Sequence, residues 1–79
     1  MVNKNMMDKK EFVKALQTEM PFGKYQGRKL MDLPGHYLAW FARQGFPHGK
    51  LGQQLALIHE LDHNALLDGI REKMRRGAE

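Results

Sequence analysis

Cysteine is absent from all 79 residues, so neither a disulfide nor a thiolate metal site can brace the fold. No apolar run approaches the ~20 residues needed to cross a bilayer. The opening MVNKNMMDKKEF carries lysine but no apolar h-region, which argues against a secretory signal. These absences together predict a cytoplasmic protein with no membrane partner. There is no Ser/His/Asp set with interpretable spacing and no phosphate-loop signature, so no cofactor is implied. A chain this short buries only about 60% of its unfolded surface, which limits it to one small domain.

What is present is a moderate basic excess. Thirteen Lys/Arg against nine Asp/Glu give +4 at pH 7, a weak bias toward polyanionic partners. The cations gather at Lys9, Lys10 and Lys14, at Lys24, Arg28 and Lys29, and at Arg71, Lys73, Arg75 and Arg76. The last group reads as a solvated helix end, where the macrodipole favours positive charge.

Periodicity divides the chain. Residues 1–7 read as a disordered tail, 8–76 as a single domain and 77–79 as a frayed end. Asp8 can cap a helix over about 9–18, with Glu11 at the capping-box position. Between Met20 and Met31 lies GKYQG, with two glycines four apart, which predicts a short β-hairpin or a hairpin-like loop. Pro34 suits a helix start, and Tyr37, Leu38, Trp40 and Phe41 follow at helical spacing until Gly45. From Lys50, apolar residues at helical spacing run to Met74, as one helix or as two bent near His63–Asn64 with Asn64 capping the second. The expected fold is α+β: three or four helices and one short β-hairpin.

Residues 59–63, HELDH, match H-E-x-x-H, the pattern that sets two zinc ligands and a general base on one helix. His59 and His63 share a helix face, and Glu60 would be the base. Catalytic zinc normally takes three protein ligands plus water. The later carboxylates Asp68, Glu72 and Glu79 lie on the same helix, its continuation or the terminus. The plainer reading is a polar helix face, with adventitious metal binding by His59 and His63, or a zinc-dependent hydrolase, as remote alternatives.

Residues 21–44, PFGKYQGRKLMDLPGHYLAWFARQ, carry more information. They follow the pattern P-F-G-K-[YH]-x-G-x-x-L-x-[DE]-[LVI]-P-x-x-Y-L-x-W, through Pro21, Phe22, Gly23, Lys24, Tyr25, Gly27, Leu30, Asp32, Leu33, Pro34, Tyr37, Leu38 and Trp40. The match continues through Gly45, Phe46, Pro47, Gly49, Lys50, Leu51 and Gly52, then Glu60 and Asn64 of an E-x-x-x-N-G-L segment in which Ala65 replaces the usual glycine. On these residues the chain resembles a family of small bacterial quorum-sensing-regulated virulence factors. A similar segment lies at the C-terminal end of some exodeoxyribonuclease X-like 3′–5′ exonucleases. The resemblance implies a non-enzymatic accessory piece without nuclease carboxylates. It also implies an aromatic residue more often than His at position 59.

Physically, Gly23 and Gly27 would let turn N–H groups face an anion, with Lys24, Arg28 and Lys29 supplying charge. Tyr25 would stack on an exposed base, and Arg43 and Lys50 would extend the patch. In the structural alternative the glycines only permit the turn, Lys24 is solvated and Tyr25 packs across the hairpin. Trp40 and Phe41 read as core, with Trp40 or Tyr37 facing a partner as the alternative. The candidate nucleic-acid-binding residues are therefore Lys24, Tyr25, Arg28, Lys29, Arg43 and Lys50. The competing function is a protein-interaction module, partner-binding or homodimeric, built on the apolar surplus of 34–44 and 51–74.

Overall fold

The computed structural model describes residues 8–77, so the tail expected over 1–7 lies outside the described residues. Four helices follow in order: α1 (Lys9–Gln17), α2 (Gly35–Gln44), α3 (Lys50–His63) and α4 (Leu67–Gly77). A 3-10 turn at Leu30–Asp32 precedes α2. None of these helices is long and apolar enough to cross a membrane.

The expected α+β class is corrected. Among the described residues there is no strand, only one antiparallel bridge between Glu19 and Lys29. The segment does reverse on itself: Leu30 donates to the Thr18 carbonyl, Met20 to Arg28 and Gly27 to Met20, each at 2.8 Å. Pairing stops after that single bridge because both sides leave the extended conformation at once. Thr18 directly follows α1, and Leu30 opens the 3-10 turn. Gly23 (φ 81°) and Gly27 (φ 89°) supply the left-handed backbone the reversal needs.

α1 begins where Asp8 accepts a hydrogen bond from the Glu11 amide at 2.9 Å, a cap worth about 1 kcal/mol. The Glu11 carboxylate pairs with Lys50 at 3.0 Å, joining α1 to the start of α3. The core is Leu16, Met20, Leu30, Leu33, Leu38, Leu55, Ile58 and Leu67, all essentially inaccessible, so every element contributes to it. Gln54 is the buried polar side chain, and it reaches Thr18 Oγ1 at 3.3 Å, whose hydroxyl donates to the Lys14 carbonyl.

The run from Lys50 to Met74 is two helices, and Asn64 ends the first instead of starting the second. Its side chain donates back to the Glu60 carbonyl at 2.9 Å. Leu66 N–H reaches Leu61 O at 2.8 Å and Ala65 N–H reaches Asp62 O at 3.0 Å, the paired bonds of a Schellman cap. Ala65 takes φ 60° in that cap, the left-handed conformation its Cβ resists. Arg71 does not belong to a solvated helix end. It donates to the Met31 carbonyl at 2.6 Å and pairs with Asp68 and Asp32, fastening α4 to the 3-10 turn.

Gly52 is the tightest packing point. A Cβ there would lie 1.7 Å from the Pro47 carbonyl oxygen, so α3 passes the 45–49 loop with no room for a side chain. Gly52→Ala is expected to cost at least ~2 kcal/mol and lower the melting midpoint by roughly 10 °C, as overpacking against main chain does. Ala65→Gly should act in the opposite sense. Relief of the left-handed strain, less the added freedom of the unfolded chain, leaves ~0.5–1 kcal/mol of stabilisation and a midpoint a few degrees higher. Thermal melts by circular dichroism check both.

Candidate functional site

α2 turns two faces in opposite directions. Leu38 and Phe41 point into the core, while His36, Trp40 and Arg43 recur on the outer side at helical spacing. Pro34 sits just before the helix with an extended backbone, and its carbonyl accepts from Tyr37 and Leu38. The Asp62 carboxylate lies beside Gly35, close enough that a Cβ there would be 3.0 Å from its oxygen. That places a negative charge of α3 at the positive end of α2.

The glycine-flanked turn docks on this helix. Tyr25 packs on Tyr37 with ring centroids 4.7 Å apart and planes inclined at 59°. Gly23 lies against the Tyr37 hydroxyl, which a Cβ would approach to 3.4 Å. A groove of about 400 Å³ opens between turn and helix, lined by Lys24, Tyr25, His36, Tyr37, Trp40 and Arg43. The Arg28 guanidinium is 5.1 Å from the Tyr25 ring centroid and Lys24 Nζ is 5.7 Å from it, both within cation–π range. Among the described residues no carboxylate lines the groove. Neither Lys24, Arg28 nor Arg43 is held in an ion pair among the described residues.

The sequence-predicted cations therefore divide. Lys24 and Arg43 line the groove with Tyr25, and Arg28 lies beside it, over the Tyr25 ring. Lys29 lies elsewhere, lining a second cavity with Asp32 and Arg71, and Lys50 is paired with Glu11. The anion cradle expected of the turn amides takes another form: Gln26, Gly27 and Arg28 donate inward, to the Gly23, Met20 and Tyr25 carbonyls. Charge at this site comes from side chains alone. Trp40, read as core, is 46% exposed, whereas its neighbour Phe41 is buried. His36 received no role from the sequence and lines the groove. Its position four residues before Trp40 was the available signal.

His59 and His63 face each other at 5.9 Å between ring centroids, with the His59 ring 6.1 Å from Phe46. The Glu60 carboxylate accepts from Asn64 Nδ2 at 3.0 Å. Among the described residues no group of three or more His, Asp or Glu side chains is placed to hold a metal ion. Two imidazoles fall short of the three protein ligands that zinc hydrolysis uses.

The fold and groove define a small helical module with an aromatic, cationic surface. The chain belongs to the family described as "Putative quorum-sensing-regulated virulence factor", which it matches over residues 8–72. It is 52% identical over 52 residues to "Uncharacterized protein YpeB" of Escherichia coli strain K12, a match covering 65% of this chain and 72% of the relative. The protein of the same name in Escherichia coli O157:H7 matches to the same extent. No solved structure matches.

Burial pushes the Tyr37 hydroxyl above its usual 10.0, and the neighbouring Tyr25 adds to the rise. Folding thus favours the neutral phenol. Stability is intact below pH 10.0 and falls as pH rises through the higher folded value. Tyr37→Phe should remove that part of the alkaline loss and delete the latest step from a tyrosinate absorbance titration.

Proposed function

We propose that this protein is a non-enzymatic module that binds single-stranded nucleic acid in the groove between the 18–30 turn and α2. The observation that carries this reading is the half-exposed indole of Trp40 in a groove with cations and no lining carboxylate. A base has an apolar face to lay on the indole, and Lys24, Arg28 and Arg43 suit the phosphates on either side. Single-stranded nucleic acid fits better than duplex because a stacked duplex offers no free base face. The nuclease-accessory form of the reading draws only on the resemblance, read in residues 21–44, to a segment of exodeoxyribonuclease X-like exonucleases. In it, the module holds a strand that another domain cuts.

A second reading draws on the exposure of Phe22 (46%) and Leu66 (55%): self-association or capture of a protein partner. The two differ in their response to salt. Phosphate contacts release counterions, and apolar association does not.

Fluorescence anisotropy with labelled single-stranded DNA and RNA provides the test. Three phosphate contacts predict a log–log salt slope of about −2, or roughly 15-fold weaker binding between 50 and 200 mM salt. Charge reversal at Lys24 or Arg43 should weaken binding and flatten that slope, while reversal at Lys50 should do so far less. Trp40→Ala should cost roughly 5- to 150-fold in affinity, the value of one stacked base. Isotherms that stay flat at low salt, with light scattering that reports a concentration-dependent dimer, would move the assignment to the second reading.

A further inference from the structure

Within the groove, Tyr37 and Trp40 are related in a way that stacking on one exposed ring does not require. Their planes differ by 3° and their centroids are 6.5 Å apart. The gap between the two planes is therefore at most 6.5 Å, a few tenths of an ångström under twice the ~3.4 Å rise of stacked bases, so a third planar ring enters between them once one wall yields slightly. Phe41 stands edge-on to each at 72°, with its centroid 5.0 Å from Tyr37 and 5.1 Å from Trp40. Phe41 is buried and Trp40 is half exposed, so the pair is closed toward the core and open toward solvent. Tyr25, packed on Tyr37, braces one wall from the turn.

We infer that Tyr37 and Trp40 form a slot for a single nucleobase, with Phe41 as its floor and Lys24 and Arg43 placed for the attached phosphate. This inference rests on the nucleic-acid reading and goes further: it makes the recognised unit one nucleotide clamped between two rings. The guest must be planar, because the walls are parallel. It must also carry negative charge, because Lys24 and Arg43 line the same groove and no carboxylate does. That combination disfavours methylated ammonium groups, which aromatic cages otherwise hold, since the cations would repel them. The base can belong to a strand or to a free mononucleotide; the chemistry of the slot is common to both.

The chain has a single tryptophan, so its emission reports the slot directly. Full-length protein is titrated with adenosine monophosphate, with a short single-stranded oligodeoxynucleotide, and with the same oligomer made abasic. Quenching by the mononucleotide identifies a free nucleotide as the source. Quenching by the oligomer alone identifies a strand. The abasic oligomer is expected to bind roughly 5- to 150-fold more weakly than the intact one. Tyr37→Leu is expected to weaken binding as much as Trp40→Leu, whereas Tyr37→Phe keeps the wall and the affinity. Because Tyr37 also supports the turn, a wild-type measurement accompanies the variants: intermolecular nuclear Overhauser contacts from one base to both rings. Contacts to Trp40 alone, or equal binding of the abasic strand, overturn the slot while leaving strand binding standing. If neither nucleotide nor strand binds, both proposals fall.

Discussion

The contact between the Tyr25 and Tyr37 rings is the joint on which the exposed surface depends. A turn of this length has no hydrophobic core of its own, and most of its side chains face water. Its ends are anchored in the core by Met20 and Leu30, and its tip by one pair of phenols at 4.7 Å, with Gly23 close to the Tyr37 hydroxyl. The main-chain bonds across the neck set the shape of the turn. The ring contact sets its place on α2. Lys24 and Arg28 gather around the Tyr25 ring, and the groove lies where the turn meets α2. An aromatic pair suits this role, since it combines a large contact area with few rotatable bonds.

The helices were legible because each follows a local rule: the Asp8 cap, the apolar spacing along α2, and the periodic run after Lys50. The hairpin was misread because turn chemistry and strand pairing are separate properties. Two glycines specify a reversal, and nothing in them specifies how far the flanks pair. Here α1 and the 3-10 turn leave room for one bridge. The break at His63–Asn64 was visible, but its mechanism was not. Asn64 can cap either helix end, and Ala65 gives no hint of a left-handed residue. The resemblance alone, with its usual glycine at 65, pointed there. Arg71 was misread for a related reason: its partner carbonyl is forty positions away in sequence. The groove was legible in part. Lys24, Tyr25 and Arg43 come together with Arg28 beside Tyr25, but the exposure of Trp40 depends on which neighbour fills the core, and Phe41 takes that place.

The distribution of charge separates the cations that hold the fold from those that do not. Lys50 ties α1 to α3, Arg71 ties α4 to the 3-10 turn, and Arg75 and Arg76 share Glu72. Each exposed pair adds little to stability alone, but each reduces the charge available to a ligand. The cations around the groove are not spent in this way. The modest net charge of +4 therefore understates the local field, because Glu11, Asp32, Asp68 and Glu72 sit against structural cations and the groove keeps its own.

The same arrangement bears on the proposal that this surface holds a ligand without transforming it. Acid–base chemistry needs a proton donor or acceptor placed against a reacting bond and oriented by a neighbour. His36 lines the groove, and among the described residues no carboxylate lines it to orient that ring. The two histidines on α3 lie against Phe46 and each other. What the groove does offer is flat apolar faces and positive charge on a helix with Asp62 beside its start and the Gly45 N–H donating to the Phe41 carbonyl at its end. Rigidity of that kind lowers the ordering cost of binding. It is of most use to a module that must hold a flexible chain, since the ligand alone then loses freedom.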